Sequence, residues 1–367
     1  MSTIRIGSER LTHPDQLRAV AILLMVLVHA VATWTPRTIS RTGILAMSIS
    51  GLGGLAAPLF VTIAGWGMAR SKLTPRKVVV RSAFIFAAQF IVNISAPHLF
   101  EPFTPGVLSL FAITILLSPI WLKAIRTKSR NGVPAWPPIL TILLFIPWIT
   151  PESFGLPTWD WRVHTPTPAR AFSHLLLTGT YPLIPWLSFA ILGAIIADNQ
   201  HSITTLNNED KSTKETRITS QVWLVISLGI AFFLLAIIES QRQGIPLAMP
   251  AGYAVLTFFP ANTPFLISAF AGVGILWQFT KNIPHSPALV ALGQRSLTVY
   301  VLHFIPFALL HNIDEEYNIQ AIGCILMVVT YTILWIPLAK LHANTIPNWS
   351  LEHLLRNFVH PKRKLEV

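Results

Sequence analysis

Asp15-Gln16-Leu17-Arg18-Ala19-Val20-Ala21-Ile22-Leu23-Leu24-Met25-Val26-Leu27-Val28-His29 is the stretch on which the reading of this chain turns. Everything between Arg18 and His29 is apolar. In helical geometry the eleven steps amount to a rise of roughly 16 Å, and about 100° per step returns the two side chains to nearly the same face. That sets an arginine at the mouth of a membrane helix and a histidine near or just past the middle of a hydrocarbon core about 30 Å thick. An ionisable group at that depth is costly and is a functional candidate by default. Asp15, three residues before Arg18, is placed to pair with it at the helix start. Taken alone, the residues leave a second reading open, with Arg18 as a topology anchor and His29 as a hydrogen-bonded buried histidine.

Composition agrees with a membrane solvent. Of 367 residues, 52% are hydrophobic and 11% charged, with a mean hydropathy of +0.57; soluble proteins carry about 25% charged residues. Ten apolar segments follow at about 17–35, 44–69, 78–95, 105–121, 137–150, 181–198, 219–239, 264–280, 287–309 and 319–340. The fifth is short and proline-rich. The expected fold is an all-α polytopic bundle of about ten transmembrane helices, one domain over 1–367 with tails at 1–16 and 341–367. With the N-terminus placed in the cytoplasm, 21 of the 27 Lys and Arg fall on the inner side and five outside, with Arg295 inside a span. This split follows the positive-inside rule and predicts that both termini face the cytoplasm. It also accounts for the net charge of +12 without nucleic acid. A cleavable signal peptide ending at Ala30-Val31-Ala32 is an alternative that would leave nine spans. Cys324, the single cysteine, excludes an intrachain disulfide.

Further constellations carry possible chemistry. In the ninth segment, Gly293-Gln294-Arg295-Ser296-Leu297-Thr298-Val299-Tyr300-Val301-Leu302-His303 holds Ser296, Tyr300 and His303 on one helical face. Arg295 falls about two turns in from the inner side, where a charge needs a partner or an anion. A polar cluster that pins helices together is the competing reading. The inner loop from Arg70 through Lys72, Arg76 and Lys77 to Arg81 has the density of charge that phosphates require, although topology alone also produces such a loop. The second segment is rich in small residues from Ser48 to Gly67, which suits close helix packing or the lining of an acyl tunnel. The outer loop 151–180, with Trp159, Asp160, Trp161, Arg162, His164, Arg170 and His174, reads as an interfacial aromatic belt or as a platform for a polar acceptor. The polar stretch 199–220 reads as a flexible linker. No zinc-like His/Cys spacing, Walker loop, GxSxG or dinucleotide fingerprint is present, so no metal is expected. A transporter or flippase with His29 and Arg295 lining its path is the rival class, disfavoured by the lack of an internal repeat.

The Arg18-to-His29 stretch resembles the R-x(10)-H signature of type-three membrane acyltransferases. It occurs with Ala56-Ala57-Pro58-Leu59-Phe60-Val61, Pro105-Gly106-Val107-Leu108-Ser109-Leu110, Tyr181-Pro182-Leu183-Ile184-Pro185-Trp186 and Leu292 through His303, in an order similar to that of the heparan-α-glucosaminide N-acetyltransferase-like family and its bacterial relatives. The resemblance covers roughly residues 15–310. It implies an acyl-CoA donor on the cytoplasmic side, acetyl-CoA first among the candidates, and a carbohydrate-like or other polar acceptor with a hydroxyl or amine. It implies a bacterial plasma membrane location in which an oligomer is possible. His29 matches the essential histidine of the type-three pattern and Arg18 its arginine, whereas Arg76, Lys77, Arg81 and Arg70 match the region facing the CoA phosphates. Arg295, Ser296, Tyr300 and His303 are then candidates for the acceptor or the oxyanion. In the lysosomal sugar N-acetyltransferase the essential histidine lies after the first span. Here no histidine follows His29 until His98, so this chain follows the type-three pattern.

Overall fold

The computed structural model describes residues 12–34, 51–97, 99–204 and 208–360. Residues 1–11, Arg37, Arg41, the start of the second apolar segment with Ser48 and Ser50, His98 and the basic tail from 361 lie outside the described residues.

The chain is a mostly helical bundle. In chain order the first helices are α1 (His13–Thr33), α2 (Ala56–Ala69), α3 (Pro75–Ser95), α4 (Val107–Leu116), α5 (Ser118–Arg126) and α6 (Trp136–Ile149). Short α7 (Trp159–Val163) and α8 (Pro168–Ser173) lie in the long loop, followed by α9 (Leu183–Thr204) and α10 (Asn208–Gln243). A small parallel pair, β1 (Ala248–Ala251) and β2 (Leu256–Phe259), precedes α11 (Thr263–Lys281). Then come α12 (Pro287–Gln294), α13 (Ser296–Leu302), α14 (Phe304–Leu310), α15 (Ile313–Glu316), α16 (Ala321–Thr345) and α17 (Leu351–Val359). Many starts repeat one local device. Thr74, Thr167, Asn262 and Ser286 each accept a backbone N–H three residues on, with a proline in the first turn. A polar N-cap satisfies an orphan donor there, and proline loses nothing because its missing N–H has no partner in the first turn.

Each of the ten expected segments carries helix where it is described. Eight helices among the described residues are long and apolar enough to cross a membrane. A ninth crossing is made by α4 and α5 if that pair, bent by 66°, counts as one. Pro119 enters at the bend, where it removes a backbone donor. The fifth expected span is α6, only 14 residues long. Two expectations are corrected. In the stretch 199–220 the described residues, 199–204 and 208–220, are helical, forming the end of α9 and the start of α10, because its Lys and Glu residues are good helix formers. The ninth segment is not one continuous helix, for it breaks at Arg295, and a helix of crossing length runs on from Ser296.

The small residues of the second segment serve close packing. A Cβ on Gly65 would lie 2.0 Å from the Ala190 carbonyl oxygen, and one on Gly193 would lie 1.9 Å from that of Thr62. The backbones of α2 and α9 therefore touch. Lipid is as apolar as leucine, so fit of this kind, rather than expulsion of water, holds membrane helices together. Gly293 does the same for α12 against α1, where a Cβ would meet the Asp15 carbonyl oxygen at 1.8 Å.

These contacts define two ends. Leu17 and Ala21 of α1 share a cluster with Trp66 and Trp277, Arg126 donates to the Ala69 carbonyl at 3.1 Å, and its guanidinium pairs with Asp198 at 2.6 Å. Arg18, Arg70 and Arg126 thus lie at one end of the bundle. His29 lies towards the other, about one turn from the end of α1.

Candidate active site

At the first end, Asp15 is buried and accepts from Arg18 Nη1 at 2.6 Å and from Gln294 Nε2 at 3.1 Å. The expected Asp15–Arg18 pair is present and is tied to α12. Arg76 and Lys77 occupy the first turn of α3, with Thr74 as its cap. Arg70 sits over the Trp66 ring at 4.9 Å, at the end of α2. Arg81 is half-buried one turn further along α3.

At the other end, His29 Nδ1 lies 2.9 Å from Nε2 of His303. The two rings are 7° from parallel with centroids 5.2 Å apart. A face-to-face stack would bring ring atoms to about 3.5–4.0 Å, so these rings lie edge to edge in one plane, joined by a hydrogen bond. His303 Nδ1 faces the Val299 carbonyl at 3.2 Å. A carbonyl only accepts, so that nitrogen carries the proton and Nε2 of His303 is left as an acceptor. His29 Nδ1–H must then donate, and the lone pair of His29 is on Nε2. His303 is fully buried while His29 keeps partial exposure. Thr33 Oγ1 donates to the His29 carbonyl at 2.9 Å, and Tyr331 to that of His303 at 2.7 Å. Phe304 packs against His29 at 5.0 Å.

The other members of the ninth segment part company. Tyr300 is buried with its ring 5.7 Å from that of His303, and Ser296 opens α13. Arg295 does not lie within a continuous span. It sits at the helix break, donating from Nε to His342 Nδ1 at 3.1 Å and from Nη1 to the Ala291 carbonyl at 3.4 Å. Beside it Glu352 of α17 caps α13, accepting from the amides of Leu297 and Thr298 at 2.7 and 3.1 Å and from Thr298 Oγ1 at 2.6 Å. Sequence reading missed this role of Glu352, because 55 residues separate it from Leu297. It also missed that His303 is the partner of His29, although both histidines had been singled out.

The long loop is built on a buried arginine. Arg162 Nη1 donates to the carbonyls of Thr178 and Gly179 at 2.9 and 2.7 Å, and Nη2 to that of Phe154 at 2.7 Å. Burial lowers its pKa to about 10. Burial also lowers that of His174, with the Arg170 charge adding to the effect. Glu101 closes the loop against the chain before α4, accepting from the Thr165 amide and from His164 Nδ1, each at 2.6 Å. Those two donors hold its carboxyl below the ordinary glutamate value. Among the described residues no group of His, Cys, Asp and Glu could hold a metal ion.

The bundle thus carries a histidine pair towards one end and a set of basic residues at the other. The chain belongs to the type-three acyltransferase family, whose acyltransferase-domain model matches residues 12–339. A search of curated proteins finds no match to the chain.

Proposed function

We propose that this membrane acyltransferase moves an acyl group, acetyl first among the candidates, from acyl-CoA to a hydroxyl or amine of a carbohydrate-like or other polar acceptor. The observation that carries the reading is the His29–His303 pair, which leaves a lone pair on His29 Nε2. In this reading His29 Nε2 takes the proton of the acceptor O–H or N–H as that atom attacks the thioester carbonyl carbon. The carbon–sulfur bond breaks, the acyl group passes to the acceptor, and the CoA sulfur leaves with the proton that His29 returns. The same nitrogen would serve as nucleophile if the acyl group passed first to His29. His303 is a positioning residue that fixes the tautomer.

The donor would enter at the Arg18 end. Arg76 and Lys77 place two positive charges in the first turn of α3, at the positive end of its helix dipole, a setting that favours phosphate. Arg70 and Arg81 flank that turn, and Arg18, held by Asp15, stands towards His29 on α1. Arg295, Ser296 and Tyr300 would act on acceptor or oxyanion only through the α13 backbone and its neighbours. The positive-inside count supports a cytoplasmic Arg18 end, with both termini on the cytoplasmic side of a plasma membrane. The resemblance of the ordered stretches implies a carbohydrate-like or other polar acceptor.

The test is acetyl-CoA binding by the detergent-solubilised protein, wild type beside His29→Ala, followed by release of free CoA with acceptor present. Binding by both proteins with turnover only in the wild type is the expected result. Failure of the wild type to bind acetyl-CoA or a longer acyl-CoA would overturn the reading.

A further inference from the structure

Glu101, Asp160, Trp161, Val163 and His164 line an open groove of about 530 Å³ at the His29 end of the bundle. Its position follows from ring contacts. Phe304, against His29, lies 6.2 Å from Phe100, and Phe100 lies 6.0 Å from Trp159. The residues that follow Phe100 and Trp159 in the chain are Glu101 and Asp160. A line of aromatic rings therefore runs from the histidine pair to the wall of the groove.

We propose that this groove is the docking site for a sugar acceptor, with Glu101, Asp160 and His164 holding its hydroxyls and Trp161 and Val163 meeting its apolar edge. Its lining joins apolar walls to a few fixed polar groups, the combination that small-ligand sites use. A carboxylate offers about four lone-pair sites. Three of those on Glu101 are used, by Thr165 N, Thr165 Oγ1 and His164 Nδ1, which leaves capacity for a hydroxyl. The site is rigid before any ligand arrives. Arg162 is buried between the groove residues Trp161 and Val163 and ties three carbonyls together, Arg170 covers the Trp161 ring at 4.0 Å, and Gly155, at φ 73°, sits where any Cβ would strike that ring. An aromatic belt would not call for a buried guanidinium beneath it. Two carboxylates in the lining also repel a polyanionic CoA, so this groove and the basic end select different substrates. The proposal rests on the acyl-transfer reading only where it names the sugar an acceptor.

The test uses the full chain in a Cys324→Ser background with Thr158→Cys, an exposed position two residues before Asp160 and outside the lining, as a reporter beside the groove. Maleimide labelling is timed with and without the methyl glycosides of glucose, galactose, mannose and N-acetylglucosamine at millimolar concentration. Acetyl-CoA binding is measured on the same preparation. At least one glycoside should slow labelling, by about tenfold at ten times its Kd, and Glu101→Gln or His164→Ala should weaken that protection about tenfold. No slowing by any glycoside, or protection unchanged in both variants, overturns the groove, and retained acetyl-CoA binding then leaves acyl transfer standing. Protection without binding of any acyl-CoA keeps the sugar site and removes its role as acceptor site.

Discussion

His303 donates from Nδ1 to the Val299 carbonyl and accepts at Nε2 from His29, so one buried imidazole determines which nitrogen of the other holds a lone pair. Two residues 274 positions apart thus behave as one unit. His29→Ala should lower kcat by about 10²- to 10⁴-fold, the usual worth of general base catalysis. His303→Gln should lower it by roughly 10- to 100-fold, as loss of an orienting partner does. Acetyl-CoA binding should survive both. A His303→Gln enzyme with unchanged kcat and pH profile would show that His303 only packs.

Donor docking makes a separate demand. Arg76→Ala combined with Lys77→Ala removes two charges from the first turn of α3. The KM for acyl-CoA should rise by more than kcat falls, and the rise should shrink at high salt because exposed charges are screened. An unchanged KM would remove the phosphate role from this turn.

Arg162 tests the loop. Lysine keeps the charge but not the planar fork that reaches three carbonyl oxygens. Arg162→Lys should lower stability by about 1–3 kcal/mol, the cost of leaving buried polar groups unsatisfied. Thermal unfolding in detergent reads the change. A melting temperature equal to wild type would mean that the loop is held by its aromatic contacts alone.

The acid limb of stability should report Glu101. Its pKa is depressed in the folded state by the Thr165 amide and the His164 ring. Its contribution is therefore present above the unfolded value, about 4.3, and is lost as pH falls through the lower folded value. Wild type and Glu101→Gln should differ in melting temperature near neutral pH and converge in acid. A difference that persists unchanged into acid would contradict this assignment.

Glu352 tests the coupling of the C-terminal helix to the site. Glu352→Ala strips the N-terminus of α13 of a charged cap. The expected loss is about 0.5–2 kcal/mol, with kcat reduced several-fold because Tyr300 and His303 ride on that helix. A variant with native stability and native kcat would reduce α17 to a surface appendage.

The amino-acid sequence determined the class of the fold by itself. Apolar stretches of crossing length, polar caps followed by proline, and a basic bias between spans are local properties, and backbone satisfaction in lipid leaves a helix as the natural answer. His29, Arg18, Asp15 and the basic turn at Arg76 and Lys77 were legible for the same reason: an ionisable group in or beside an apolar run stands out in one dimension. Which groups meet was decided by the tertiary structure. His303 read as one member of a helical face, and only the break at Arg295 and the seam between α1 and the ninth segment bring it to His29. Gly293 and Gly193 read as small residues, and only the crossing backbones show what each makes room for. Glu101 and His164 lie 63 positions apart and carry no motif. Pairing across such distances depends on where helices cross, and that is settled by packing summed over the whole bundle.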